Sequence, residues 1–155
     1  MKTLVKATLI VAAATAMASP ALSDPLEDAI TARRGYYQVI LSNFGPIVGM
    51  AKGAVEYDAE KAATFANTLQ TLSMLNNGHM WPAGSDNAAM DGKPRALPKI
   101  WEDFPGVQEK GQAWAAAVGE LASVAGDGLD ALRSKVGAVG ESCGACHDTY
   151  RAKSF

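Results

Sequence analysis

The run Cys143-Gly144-Ala145-Cys146-His147 lies close to the C-terminus and contains both cysteines of the chain. C-x-x-C-H is the attachment pattern for a c-type haem. Two thiols add to the two vinyl groups as thioethers, and the next residue offers an imidazole to the iron. On a helix Cys143 and His147 are i,i+4 neighbours, so anchor and axial ligand point at one group. The flanking residues supply such a helix: Leu129, Leu132, Val136, Val139, Cys143, Cys146 with His147, and Tyr150 recur at three-four spacing without a phase break. The haem ligands thus continue an apolar stripe, and the chain must fold so as to enclose a flat apolar group inside its core.

Two other uses of the cysteines compete with this one. An exported protein can close a single disulfide, but a redox C-x-x-C usually follows a strand at a helix N-terminus, and no βαβ pattern precedes this one. A zinc site needs a further ligand, and His79 is the obvious source.

The N-terminus reads as a targeting segment. Lys2 and Lys6 precede an apolar stretch from about Ala7 to Ala18, and Ala21-Leu22-Ser23 offers small residues before a cleavage point at Asp24. Residues 1–23 are therefore expected to be a cleavable signal peptide. The apolar stretch is shorter than the roughly 20 residues a membrane span requires, and no membrane span is expected in the mature chain. The mature chain, 24–155, is one domain. Loss of Lys2 and Lys6 leaves 12 basic against 16 acidic residues, a net charge of −4, and haem propionates would add more. That balance gives no reason to expect nucleic acid as a partner. A neutral or basic redox partner fits better, although its identity is not written in the charge.

Four helices are predicted, with no strand-like alternation between them. The first runs from about Pro25 to Met50, with Asp24 as cap and Pro25 at its first position. Its stripe is Ile30, Arg33 with Arg34, Tyr37, Ile40 with Leu41, and Phe44; Gly45-Pro46 should kink or loosen it. The second starts after Asp58 and runs to about Leu75. The third runs from about Gly106 to Val124, and the fourth from about Leu129 to Lys153 with Asp127 as cap. Short turns between long helices imply antiparallel neighbours. Residues 78–105 read as a long irregular connection, with room for a short helical turn around Lys99–Asp103. Such a connection usually has a function or wraps something. Its Trp81 and Trp101 either cover a cofactor edge or simply pack on the bundle.

These features together resemble the class II c-type cytochromes, and in detail the cytochrome c′ family. The resemblance rests on Arg33, Ser42-Asn43-Phe44-Gly45, Tyr57-Asp58, Pro98-Lys99-Ile100-Trp101 and the stretch from Cys143 to Arg151, and it spans the mature chain. It implies an all-α, antiparallel up-down-up-down four-helix bundle carrying one haem c on the C-terminal helix through Cys143 and Cys146. It also implies export to the bacterial periplasm, a homodimer, and five-coordinate high-spin iron with His147 as proximal ligand. Alignment on Phe44-Gly45 places Tyr37 over the distal face. Arg33, with Arg34 beside it, would lie near the haem propionates or edge, since an arginine on a buried stripe needs an anion. Arg151, one turn beyond His147, either flanks the imidazole or simply complements the helix dipole. Ser85 and Asp86 are the loop residues the resemblance suggests as haem contacts, although the connection from Asn76 to Arg95 is longer than is common in the family.

The implied function is one-electron transfer together with binding of small diatomic gases such as NO and CO, and not enzymatic turnover. The alternative is a low-spin, six-coordinate electron carrier. That needs a sixth ligand, and the stripe around Tyr37 has no methionine; Met50 lies roughly 20 Å further along the helix at 1.5 Å per residue. Met74, Met80, Met90 and His79 are the remaining candidates in the mature chain. A haem peroxidase would need a distal base, and the stripe offers arginine but no histidine.

Overall fold

The computed structural model describes residues 24–154, so the expected signal segment 1–23 and Phe155 lie outside the described residues. The helices are α1 Pro25–Ala51, α2 Ala59–Ser73, the short α3 Lys99–Glu102, α4 Phe104–Ala122 and α5 Leu129–Tyr150. Among the described residues no strand forms, and one isolated bridge pairs Ala96 with Arg151. The four long helices close a ring: α1 packs on α2 and α5, and α4 packs on α2 and α5. This is a four-helix bundle, as the spacing of apolar residues predicts.

Local chemistry starts most of these helices. The Asp24 carboxylate accepts from Leu26 N–H, Asp58 from Lys61 N–H and Asp103 from Gly106 N–H, at 2.9, 3.0 and 3.1 Å. α5 is different. The expected Asp127 cap is replaced by Gly128, which caps through its backbone at φ 125° and ψ 161°, a conformation open essentially only to glycine. α5 also stops at Tyr150, short of Lys153, because Arg151 turns extended and pairs with Ala96.

Pro46 does not end α1, which runs through to Ala51. An interior proline costs about 3 kcal/mol. Ile47 and Met50, both buried beyond it, are worth about 1.5–3 kcal/mol each and offset that cost. The core continues through Leu69, Val118, Leu121, Leu132 and Val139, with Ala62 and Ala66 letting α2 approach closely.

Tyr57 joins two turns at one end of the bundle. Its hydroxyl donates to the Ala125 carbonyl and accepts from Gly128 N–H, both at 2.9 Å. Tyr57→Phe deletes both bonds and is expected to cost about 1–2 kcal/mol. Thermal unfolding followed by circular dichroism measures this; an unchanged midpoint would mean that water replaces the hydroxyl without loss.

At the opposite end the connection reaches α5. Tyr150 O–H donates to the Asp103 carboxylate at 2.7 Å. A side chain on Gly106 would put its first carbon 2.3 Å from that hydroxyl, so only glycine fits beneath the pair. The shared hydrogen bond holds Asp103 below the ordinary aspartate value of 3.8 and pushes Tyr150 up to about 12 from 10.0. Asp103 therefore contributes stability that is complete above its ordinary value and is lost as pH falls through its depressed one. Tyr150 contributes stability that is complete below pH 10 and is lost as pH rises towards 12. Asp103→Asn is expected to flatten both limbs of a melting-temperature profile against pH. Parallel profiles for parent and variant would show that the pair does not couple to folding.

Candidate functional site

α5 carries Cys143, Cys146 and His147 within one turn. Both cysteines are free thiols and half-buried. Burial raises both thiol pKa values, the opposite of the lowered values that make a C-x-x-C a redox pair. Their place deep in a helix, away from its N-terminus, argues the same way. Among the described residues no cluster of three or more His, Cys, Asp or Glu could hold a metal ion. His79 sits exposed in a 3-10 turn, Gly78–Met80. The zinc and redox-disulfide readings therefore lose their geometry.

His147 is exposed at its edge and flanked by cations. Burial first, then Arg151 and Arg95, lower its pKa, with Asp148 opposing, so the imidazole is neutral near pH 7 and has a free lone pair. Arg151 approaches Nδ1 at 3.5 Å, too far for a useful hydrogen bond. That distance suits a ligand imidazole. With Nε2 bound to a metal, Nδ1 carries the proton and cannot accept, so Arg151 acts as a nearby charge.

Arg151 belongs to a strap that leaves α5. Leu97 N–H donates to the Tyr150 carbonyl at 3.0 Å and Ala152 N–H to the Arg95 carbonyl at 2.8 Å. The Arg95 guanidinium donates to the carbonyls of Ala152 and Lys153, both at 2.7 Å. The chain beyond the histidine is thus stitched to the connection.

α1 faces these groups with Tyr37. The ring has an open face, 43% of the residue being exposed, yet the phenol lies deep in the outline of the bundle. Burial, the thiol of Cys146, the Tyr36 hydroxyl and the thiol of Cys143 hold its pKa far above the ordinary tyrosine range, with Arg33 opposing. The phenol is a neutral O–H group within electrostatic reach of both cysteines.

The cytochrome c′ family model matches residues 28–151. The chain belongs to the cytochrome c′ family. It is 38% identical over 138 residues to a cytochrome c′ of Cereibacter sphaeroides, covering 89% of this chain and 92% of that protein. The solved cytochrome c′ from Rhodobacter sphaeroides superposes with a TM-score of 0.80 at 37% identity, covering 84% of this chain and 99% of the other. A ferrous variant of the cytochrome c′ from Alcaligenes xylosoxidans with bound NO matches with a TM-score of 0.72 at 34% identity, covering 86% and 99%. Cytochromes c′ are haem proteins, and membership implies a covalently bound haem c. The donor set fits that group: two free thiols one turn apart, a neutral imidazole beside them, and an aromatic ring facing them from α1.

Within this cytochrome c′ bundle the other sequence-predicted residues divide into three sets. Arg151 comes to His147, and Tyr37 lies within electrostatic reach of both cysteines. Arg33 joins Ser85 and Asp86, but on the connection. It is 4% exposed, and its guanidinium donates to Ser85 Oγ at 2.6 Å, to the Ser85 carbonyl and to the Met80 carbonyl at 3.4 Å. It also lies 4.7 Å from the centroid of the Trp81 ring; burial and then Arg34 lower its pKa, with Tyr37 and Asp86 opposing. The connection supplies acceptors and a nearby carboxylate to the buried cation, and a propionate beside Arg33 stays an expectation from the resemblance. Asp86 accepts from Ala88 and Ala89 N–H, both at 2.9 Å, and so caps a turn. Arg34 is set apart, exposed and donating to the Lys93 carbonyl.

The buried register of α1 is also corrected. Tyr36, not Tyr37, enters the core and donates to the Leu72 carbonyl at 2.9 Å. Arg33, Tyr36 and Ile40 are themselves at three-four spacing, a signal the chosen stripe passed over. Arg95 beside His147 was missed as well, and no periodicity marks a residue in an irregular connection.

Proposed function

We propose that this chain carries one haem c, attached through Cys143 and Cys146 and ligated by His147, and that it exchanges single electrons and binds small neutral gases such as NO and CO. When bound, the haem would supply an iron centre that changes charge by one unit and can take a diatomic ligand. One observation carries the reading: the residue facing the cysteines from α1 is Tyr37, a neutral phenol, with no methionine or histidine in its place. Its ring crowds the approach of bulky ligands, and its O–H can donate to a small one. Arg151 and Arg95 keep positive charge beside His147 and so weaken the imidazole as a donor. Among the described residues the titratable groups acting on Tyr37 are Tyr36, Arg33 and the two cysteines, and none of these is the histidine base that peroxide chemistry would use.

The signal-like segment 1–23 supports export to the periplasm. No helix among the described residues is long and apolar enough to cross a membrane. Exposed Val39 and Leu41 on α1, with Met74 and Leu75 at the end of α2, support a homodimer, which sedimentation of the holoprotein tests. The physiological redox partner is a separate protein whose identity these surfaces do not specify.

Electron paramagnetic resonance of the ferric protein tests the coordination. A high-spin signal is expected. A low-spin signal would mean a sixth ligand from the chain and the alternative function of a plain electron carrier. Met50 is buried beyond Pro46, so the half-buried Met80 and Met90 of the connection would be the first candidates, ahead of the exposed Met74 and His79.

A further inference from the structure

We propose that Trp81 braces the Tyr37 ring and thereby sets how readily a small ligand reaches the cysteine-bearing face of α5. Trp81 is a positioning residue for ligand entry, acting through Tyr37. The inference rests on the gas-binding reading above and names the part of the chain that tunes it.

Tyr37 stands on α1 between two aromatic neighbours. Tyr36 meets it at 5.2 Å between ring centroids and 68° between planes, and Trp81 at 6.4 Å and 77°. Both are edge contacts of the favourable type. Tyr36 is the preceding residue of the same helix and is pinned in the core. Trp81 is the contact that comes from elsewhere in the chain, and it is the only one of the two that can restrain the ring from outside α1.

Trp81 is itself held on several sides. The Arg33 guanidinium lies 4.7 Å from its ring centroid. Trp101 lies 6.2 Å away, centroid to centroid, and donates its indole N–H to the Trp81 carbonyl at 3.1 Å. Arg33 is fixed in turn by Ser85 and Met80. The long connection thus delivers a rigid indole to the edge of a ring whose other face is open. Removing the indole frees Tyr37 to swing about its side-chain bonds and widens the passage it guards.

The test uses flash photolysis of CO from the ferrous holoprotein. Trp81→Ala is expected to raise the association rate at least about fivefold, while Trp81→Phe keeps it within about twofold of the parent. In a Tyr37→Leu background the Trp81→Ala change should shrink to within about twofold, the mark of two residues acting as one unit. An unchanged rate in Trp81→Ala, or an equal factor in both backgrounds, overturns the proposal. A second readout does not depend on ligand binding. Hydroxyl-radical oxidation of Tyr37, located by peptide mass, should be faster in Trp81→Ala than in the parent; equal rates overturn the brace. If the parent takes up no CO, the gas-binding reading fails, and the oxidation rate still decides whether Trp81 restrains Tyr37.

Discussion

Replacing both Cys143 and Cys146 by serine is expected to leave a protein from which acidified acetone extracts all of its haem. The parent should retain its haem through the same treatment and show a mass higher by one haem. The two thiols are the only ones in the chain, so no other thioether can form. They are half-buried on the interior face of α5 with pKa values raised by burial. Hydroxyls are smaller and cannot add to the vinyl groups in their place. The helix itself should persist, because Leu132, Val139 and Tyr150, its buried residues, are untouched. Haem that resists extraction from the double variant would remove the cysteines from the site.

Arg33→Ala is expected to be strongly destabilising for a polar residue. It removes a 4%-exposed cation whose donors serve Ser85 Oγ and the carbonyls of Ser85 and Met80. Each acceptor left without a partner costs about 1–3 kcal/mol, and the Trp81 ring loses its cation. A total near 3 kcal/mol lowers the melting temperature by roughly 10 °C in a domain of this size. Arg33→Lys should rescue little, because one ammonium cannot span a hydroxyl and two carbonyls from one planar fork. Arg34→Ala is the matched control: an exposed neighbour, bonded only to the Lys93 carbonyl among the contacts described, should shift stability by no more than about 0.5 kcal/mol. Hydrogen exchange should rise across residues 80–97 in the Arg33 variant alone. Equal effects at the two positions would show that the connection is held by other contacts.

The parts of this molecule that repeat were readable before any coordinates. Apolar spacing located four long helices, and the stripe of the last one carries both half-buried cysteines of the C-x-x-C-H run. Capping chemistry at Asp24 and Asp58 marked two helix starts closely. Errors arose where one local rule competed with another. Asp127 is a good capping residue, but the backbone of Gly128 takes the role because the turn needs φ 125° there. Adjacent tyrosines at 36 and 37 gave two nearly equal phases for α1, and only packing against α2 decides between them.

Long-range contacts were not readable at all. Arg33 meets a loop 52 residues away, and Arg95 meets the strap beyond α5 57 residues away. An irregular connection has no period from which such a meeting could be inferred. The buried position of Arg33 was evident from its stripe, but its partners within the chain were not: carbonyls, a hydroxyl, an indole face and the nearby Asp86 carboxylate surround it.

The central claim is that Tyr37 covers the cofactor face without ligating it. The visible spectrum of the ferrous holoprotein, recorded before and after addition of CO, tests this most directly. A high-spin spectrum that CO converts to a low-spin adduct is the predicted result. A spectrum already low-spin and indifferent to CO would contradict it, because the iron would then hold a sixth ligand from the chain.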